Sequence, residues 1–370
     1  MLGALAGATL MPAALPAAFA AQPAQEALKD IARRKGLRFG TAVGAGTNQF
    51  GDPAYRALVE RECGLIVPEN ELKWQAVQPT PAAHRFEQAD AMLAWADKSG
   101  MATRGHTLFW QAEKWMPSWL AKADLGASPR AGAERLMREH VRAVCGHYGK
   151  RIASWDVVNE AVANEDGKLR QNTLTRPLGA IEQIELAFRL AREHAPHAEL
   201  VYNDYMGPGS GSAKHRAGVL SLLAELKKRG APVDALGLQS HIHTWESAAK
   251  ATAELAEWRR FLEEVSGMGY GLVITELDVN DREQPADIAK RDAGVAAATR
   301  AYLDTTLSFP RLRDVLVWGM SDDISWLQTW KEAKRKDGLA MRPCPYDAKR
   351  QAKPMRQAIA EAMAAAPLRA

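Results

Sequence analysis

The stretch 155–160, WDVVNE, ends an apolar, β-branched run on the pair Asn159-Glu160. A second stretch, 274–279, ITELDV, carries Glu276 in the same kind of setting. Runs of this kind read as parallel strands covered on both faces, which show continuous apolar sequence rather than alternation. A glutamate at the C-terminal tip of such a strand belongs to the end of the sheet where loops build sites. Working outward, six more short β-rich runs occur at 39–43, 65–68, 103–109, 200–203, 235–239 and 315–318; 154–159 and 272–276 complete the set. Helical spacing separates them. Ala133, Leu136, Met137, His140, Val141, Val144 and Tyr148 follow a three/four repeat. Ile181, Ile184, Ala187, Phe188 and Ala191 do the same, as do Val219, Leu222, Leu223 and Leu226.

No linker, low-complexity tract or composition shift divides residues 27–365, so the alternation predicts an α/β fold, a single (β/α)8 TIM barrel. An open doubly wound sheet also alternates, but it gathers its polar residues at one switch point. Here polar motifs end almost every strand: Glu69-Asn70, His106, Asn159-Glu160, Asn203-Asp204, Gln239 to His241, Glu276 and Trp318. A ring of that kind is a barrel mouth.

With 47% apolar and 25% charged residues, the 370-residue chain has the composition of an ordinary globular protein. A net charge of +4 with no long basic run excludes phosphate tracking, so no nucleic-acid partner is expected. Eleven tryptophans are unusual, and several stand beside the polar strand ends, where flat aromatic faces suit sugar rings. Three cysteines, Cys63, Cys145 and Cys344, are too few and too odd for a disulfide framework. Cys145 falls on a helix stripe and reads as a buried thiol. Residues 1–25 lack any charge and are rich in Ala, Leu, Gly and Pro. Ala18-Phe19-Ala20 fits a cleavage site, so residues 1–20 are expected to be an export signal, although the basic segment that opens such signals is missing. Pro12 and Pro16 interrupt the one apolar stretch, so no membrane span is expected in the mature chain. A monomeric periplasmic or extracellular protein is the expectation.

Two carboxylates on separate strand ends of one barrel are what cleavage of a glycosidic bond with retention requires. Glu276 and Asp278 are two apart and share a strand face, and His241 should neighbour them. An Asp278–His241–Glu276 arrangement would hold Glu276 ionised and oriented, as a nucleophile needs. Glu160, facing that anion, should be driven toward its protonated form and act as acid. In PENELKW (68–74), Lys73 can donate to hydroxyls, with Glu69 and Asn70 as further polar partners; a bare helix start is the plainer reading. His241 and His243 could instead chelate a divalent metal, but barrels that do so carry the pair after the first strand, here Ala42-Val43-Gly44. No metal or cofactor is expected.

Taken in order, GTAV (40–43), PENELKW, GHTLFW (105–110), WDVVNEA (155–161), YNDY (202–205), LQSHI (238–242), ITELDV and WGMSDDISW (318–326) resemble the retaining endo-1,4-β-xylanases of glycoside hydrolase family 10. The resemblance covers residues 30–360. It implies Glu160 as acid/base, Glu276 as nucleophile, Asn159 on the sugar 2-hydroxyl, and His241 and Asp278 in support. It also implies that Glu69, Asn70, Lys73, His106, Trp110, Gln239 and His241 line the glycone side, walled by Trp318 and Trp326, with Tyr205 toward the aglycone. Xylan and xylo-oligosaccharides are the implied partners, and no cofactor is implied. The chain departs from the family at Trp110-Gln111-Ala112-Glu113, where WHSQ is usual; Gln111 and Glu113 are thus expected to alter sugar selectivity. That departure leaves a retaining β-1,4-glucanase as an alternative, and a non-catalytic sugar-binding barrel is another. Loop 328–341, with Lys331, Lys334, Arg335 and Lys336, followed by Arg342 and Arg350, reads as a solvated loop, with contact to acidic xylan branches as the alternative.

Overall fold

The computed structural model describes residues 25–369. Its strands are β1 (Arg38–Val43), β2 (Leu65–Pro68), β3 (Ala102–Trp110), β4 (Ile152–Asn159), β5 (Glu199–Asp204), β6 (Ala235–Leu238), β7 (His241–His243), β8 (Gly271–Asn280) and β9 (Leu312–Val317). All pair in parallel. β1 to β6 neighbour one another in chain order, β9 joins β1 to β8, and β8 closes the ring on β6. Eight strands therefore form the (β/α)8 barrel. The ninth, β7, continues the chain beyond Gln239-Ser240 and pairs with the outer half of β8.

The barrel buries two apolar layers. Ala42, Leu65, Val67, Val201, Ala235, Val273 and Leu316 fill its interior. A larger cluster fills the space between sheet and helices. The helix Pro129–Tyr148 shows why the sequence repeat is readable. Pro129 sits at its first turn, where a missing N–H costs nothing, and Ala133, Met137, His140, Val141, Val144, Cys145 and Tyr148 are buried. His140 bonds the carbonyl of Leu108 at 3.1 Å and stacks on Trp74. Burial drives its pKa down to about 3, so it is a neutral core residue. The N-terminal ends of the strands are tied by ion pairs, Arg38 holding Asp314 through two bonds of 2.6 Å.

The first and last described helices are joined at one buried carboxylate. Glu62 accepts from the backbone of Leu28 at 3.0 Å, from Tyr346 at 2.8 Å and from Arg356 at 3.1 Å. These come from the helices Leu28–Arg34 and Pro354–Ala365 and from the last loop, so Glu62 closes the ring of helices. Glu62→Ala leaves Arg356 buried and unpaired, and is expected to cost about 3 kcal/mol in chemical denaturation. A variant as stable as the parent would show that the network is not what seals the ends.

The eight strands expected from sequence all form, with ends moved by a few residues. One difference matters. β8 runs four residues past Glu276 to Asn280, so Glu276 lies within the strand rather than at its tip. The cause is β7, whose register His241↔Asp278 supplies a partner for the extension. The three cysteines are free and buried. Among the described residues, no helix is long and apolar enough to cross a membrane. The expected export signal lies outside the described residues.

Candidate active site

Glu276 is held by an irregularity in β8. The register with β9 shifts between Ile274 and Leu277, and that shift brackets Glu276. Its Oε1 accepts from Asn203 Nδ2 at 2.8 Å, and its Oε2 contacts His241 Nε2 at 3.2 Å. The other ring nitrogen of His241 lies 3.0 Å from Asp278 Oδ1, an ion-pair contact off the best hydrogen-bond angle. Asp278 in turn accepts from the Trp326 indole at 2.7 Å. Burial pulls His241 down, but Asp278 and Glu276 overcome it and hold the ring at about 10, a cation at neutral pH. Burial also pushes Glu276 up, yet the His241 bond and the nearby His106 bring it below the ordinary carboxylate value. The carboxylate is ionised. Both His241 nitrogens face carboxylates, so the ring is held as the cationic partner of Glu276 and Asp278.

Glu160 follows β4 with φ at 58°, a left-handed conformation that costs a non-glycine residue about 1–3 kcal/mol. Its N–H donates to the carbonyl of Asn203 at 2.9 Å, which fixes the turn. Its Oε1 accepts from Gln239 at 3.1 Å and from Asn159 at 3.3 Å. Burial raises its pKa, Asp204 and Glu276 raise it further, and the Trp110 indole and Gln239 pull back. Burial, rather than the opposing anion expected from the sequence, is the larger cause. Asp204, buried and bonded to His215 at 3.0 Å, is a further anionic neighbour that no sequence spacing marks.

An amide relay connects the two glutamates. Asn203 Nδ2 donates to Glu276 and also, at 2.9 Å, to Asn159 Oδ1, while Gln239 reaches both Asn159 Oδ1 and Glu160. Thr275 donates to Asn203 Oδ1 at 2.8 Å and fixes which way the amide points. A Cβ on Gly237 would lie 2.3 Å from that same oxygen, so β6 needs glycine there. Asn203 was visible in the sequence as a polar strand end and as part of YNDY, but its joining role was missed.

Glu160 and Glu276 face one cavity of about 1310 Å³. Glu69, Lys73, His106, Trp110, Asn159, Tyr205, Gln239, His241, Trp318 and Trp326 line it too. Two expected site residues stand behind. Asn70 is exposed and accepts from Lys73 Nζ at 2.8 Å, so it aims the lysine, and Asp278 aims His241. Lys73 sits 4.8 Å over the Trp110 ring; burial lowers its pKa, while Glu276, Glu69 and Glu160 oppose that. His106 Nδ1 bonds Asp156 at 2.9 Å, which directs Nε2 to the cavity. Arg170, donating to the Tyr205 hydroxyl at 2.8 Å, also lines the wall, though no spacing signal marked it.

The sequence profile of glycosyl hydrolase family 10 matches residues 27–362. The chain belongs to that family. It is 31% identical to endo-1,4-beta-xylanase 1 of Humicola insolens over 84% of this chain and 70% of that one. It is 32% identical to endo-1,4-beta-xylanase 3 of Hypocrea jecorina over 82% of this chain and 79% of the relative. Among solved structures, native xylanase 10B from Thermotoga maritima superposes with a TM-score of 0.80 at 27% identity, covering 91% of this chain and 98% of its own. Xylanase 10B from Thermotoga petrophila RKU-1, in complex with xylobiose, also scores 0.80 at 26% identity, covering 93% and 98%.

Gln111 is buried, bonded to Gln183 at 2.8 Å and to Asn172 at 2.6 Å, and does not reach the cavity. Glu113 pairs with Arg176 at 2.8 Å and with Thr173. Both brace the loop from behind, so any effect on sugar selectivity would pass through the loop they hold. Lys114 and Trp115 line the cavity instead. In the loop after β9, Arg335 binds Asp337 and the carbonyl of Asp281, Arg342 binds Asp292, and Arg350 binds Asp323. Only Lys331, Lys334 and Lys336 among those basic residues remain exposed and unpaired within the described residues, in keeping with a solvated loop.

Proposed function

We propose that this family 10 hydrolase is an endo-1,4-β-xylanase that cuts internal β-1,4-xylosidic bonds with retention by double displacement. Glu276 attacks the anomeric carbon while Glu160 gives its proton to the departing oxygen. The covalent glycosyl-enzyme removes the charge at Glu276, so Glu160 is less opposed as an anion and takes a proton from the incoming water. That water then releases the sugar from Glu276. Asn159, fixed by Asn203 and Gln239, meets the 2-hydroxyl of the sugar at the cut.

The observation that carries this reading is the split between two carboxylates on one cavity. Glu276 is kept charged by a cationic His241, and Glu160 is pushed toward the acid form. A sugar-binding barrel has no use for that division. The glucanase alternative rested on Gln111 and Glu113, which lie outside the cavity lining. The substrates are xylan and xylo-oligosaccharides, the catalytic domain spans 27–365, and the chain is exported by its first twenty residues.

The test is hydrolysis of xylan against carboxymethyl-cellulose, with proton NMR of the first product formed. Faster release from xylan and a β-anomer that later mutarotates are expected. An α-anomer as first product refutes double displacement, and equal rates on the two polymers refute the substrate class.

A further inference from the structure

Two loops that line the cavity, one after β3 and one after β9, meet at Lys114. Trp115, in the loop after β3, stacks on Trp110 with ring centroids 5.0 Å apart and an interplanar angle of 17°. In the loop after β9, Trp330 packs on Trp326 at 5.5 Å. Lys114 lies between them, its Nζ 5.0 Å from the Trp115 ring centroid and 5.8 Å from that of Trp330. Both feet are anchored. Glu113, next to Lys114, is tied to Arg176, and Gln328, two residues before Trp330, is bonded to the carbonyls of Asp322 and Met341 at 2.7 and 2.8 Å.

Lys114 forms no ion pair among the described residues, so the two indole faces are its partners. Cations sit over tryptophan faces because the ring quadrupole is negative there. Trp330 is 40% exposed, a large ring to leave in water unless it covers something. Trp326 contacts Asp278 and His241, which support Glu276, so the Trp330 foot of the bridge lies on the nucleophile's side of the cavity. The far side is framed by the loops around Arg170, Gly209 and Trp245, and no cation–aromatic bridge crosses it among the described residues.

We propose that the Trp115–Lys114–Trp330 arch bounds the glycone half of the cleft, so that bonds a short distance from a non-reducing end are cut in preference to those deeper in the chain. This rests on the reading of Glu276 as nucleophile, which makes the bridged side the glycone side. A polysaccharide continuing past the arch must break the Lys114–Trp330 contact. A chain that ends beneath the arch need not.

The experiment is cleavage of xylohexaose carrying a fluorescent label at its reducing end, with the rate resolved for each bond. The unaltered enzyme should favour one bond that leaves a short glycone fragment. Trp330→Ala and Lys114→Ala should each raise the share of cuts leaving longer glycone fragments about fivefold, the worth of an exposed cation–aromatic contact. Trp330→Phe, which keeps a ring, should restore most of the original pattern. An even distribution in the unaltered enzyme overturns the proposal, as does an unchanged pattern in either alanine variant. Hydrolysis of an aryl β-xylobioside by the unaltered enzyme separates the two levels. If that fails, the glycosidase reading falls; if it succeeds while the bond pattern is insensitive to the arch, only the arch falls.

Discussion

Glu276→Ala is expected to lower turnover of xylan roughly a hundred-thousand-fold, the scale reached when a covalent nucleophile is deleted. The loss comes from one missing bond, because His241, Asp278 and Asn203 would remain in place to orient whatever fills the gap. Azide is small enough to occupy the space left by the carboxylate. With an activated aryl β-xylobioside it should attack the anomeric carbon from the face Glu276 uses, giving an α-glycosyl azide and a partial return of rate. That product is diagnostic, since a purely electrostatic role for Glu276 would leave nothing for azide to replace. Wild-type-like turnover in the variant, or rescue giving the β-azide, would sink the assignment. Loss of His241 should act more mildly and through Glu276, since burial alone raises that carboxyl.

Much of this is legible in the sequence. The barrel followed from eight apolar runs because a parallel strand buried on both faces cannot hide its composition. The helices Ala180–His194 and Ala213–Lys228 bury the positions their spacing marks, Ile184, Ala187, Phe188 and Ala191 in one, and Val219, Leu222, Leu223 and Leu226 in the other. The Glu276–His241–Asp278 cluster was legible for a related reason: two-residue periodicity puts Glu276 and Asp278 on one face, and β7 then pairs His241 opposite Asp278. What stayed hidden depends on contacts between loops. Nothing in the spacing of Gln111 says that it turns inward to Gln183, 72 residues on. Nor can a sequence show that Lys114 lies between Trp115 and Trp330, since the meeting point is set by two loop conformations. The pKa balance at Glu160 was half visible. The opposing Glu276 was foreseen, whereas Asp204 was not, and burial, the larger cause, is a property of the closed cavity.

Glu160→Ala should divide substrates by their leaving groups, and should do so with a matching change in pH dependence. General acid assistance contributes about a hundred- to ten-thousand-fold. Xylan, whose leaving alkoxide is a poor one, should lose that whole factor. An aryl xyloside with an acidic phenol departs unaided, so its first step should survive while the glycosyl-enzyme accumulates, visible as a burst of phenol. Azide should then speed the second step and yield a β-glycosyl azide, the opposite anomer from the Glu276 variant. The pH profile follows from the two shifted carboxyls. Glu160 must be protonated to act as acid, and its raised pKa carries kcat/KM to higher pH before the alkaline limb falls. Glu276 must be ionised, and its lowered pKa carries the acid limb to lower pH. Removing Glu160 should abolish the alkaline limb for the activated substrate and leave the acid limb in place. Asp204→Asn tests the cause: with that charge gone, Glu160 ionises more readily, so the alkaline limb on xylan should move to lower pH while the acid limb holds. An alkaline limb that persists without Glu160 would mean that another group carries the proton, and the two carboxyls would then have to be assigned afresh.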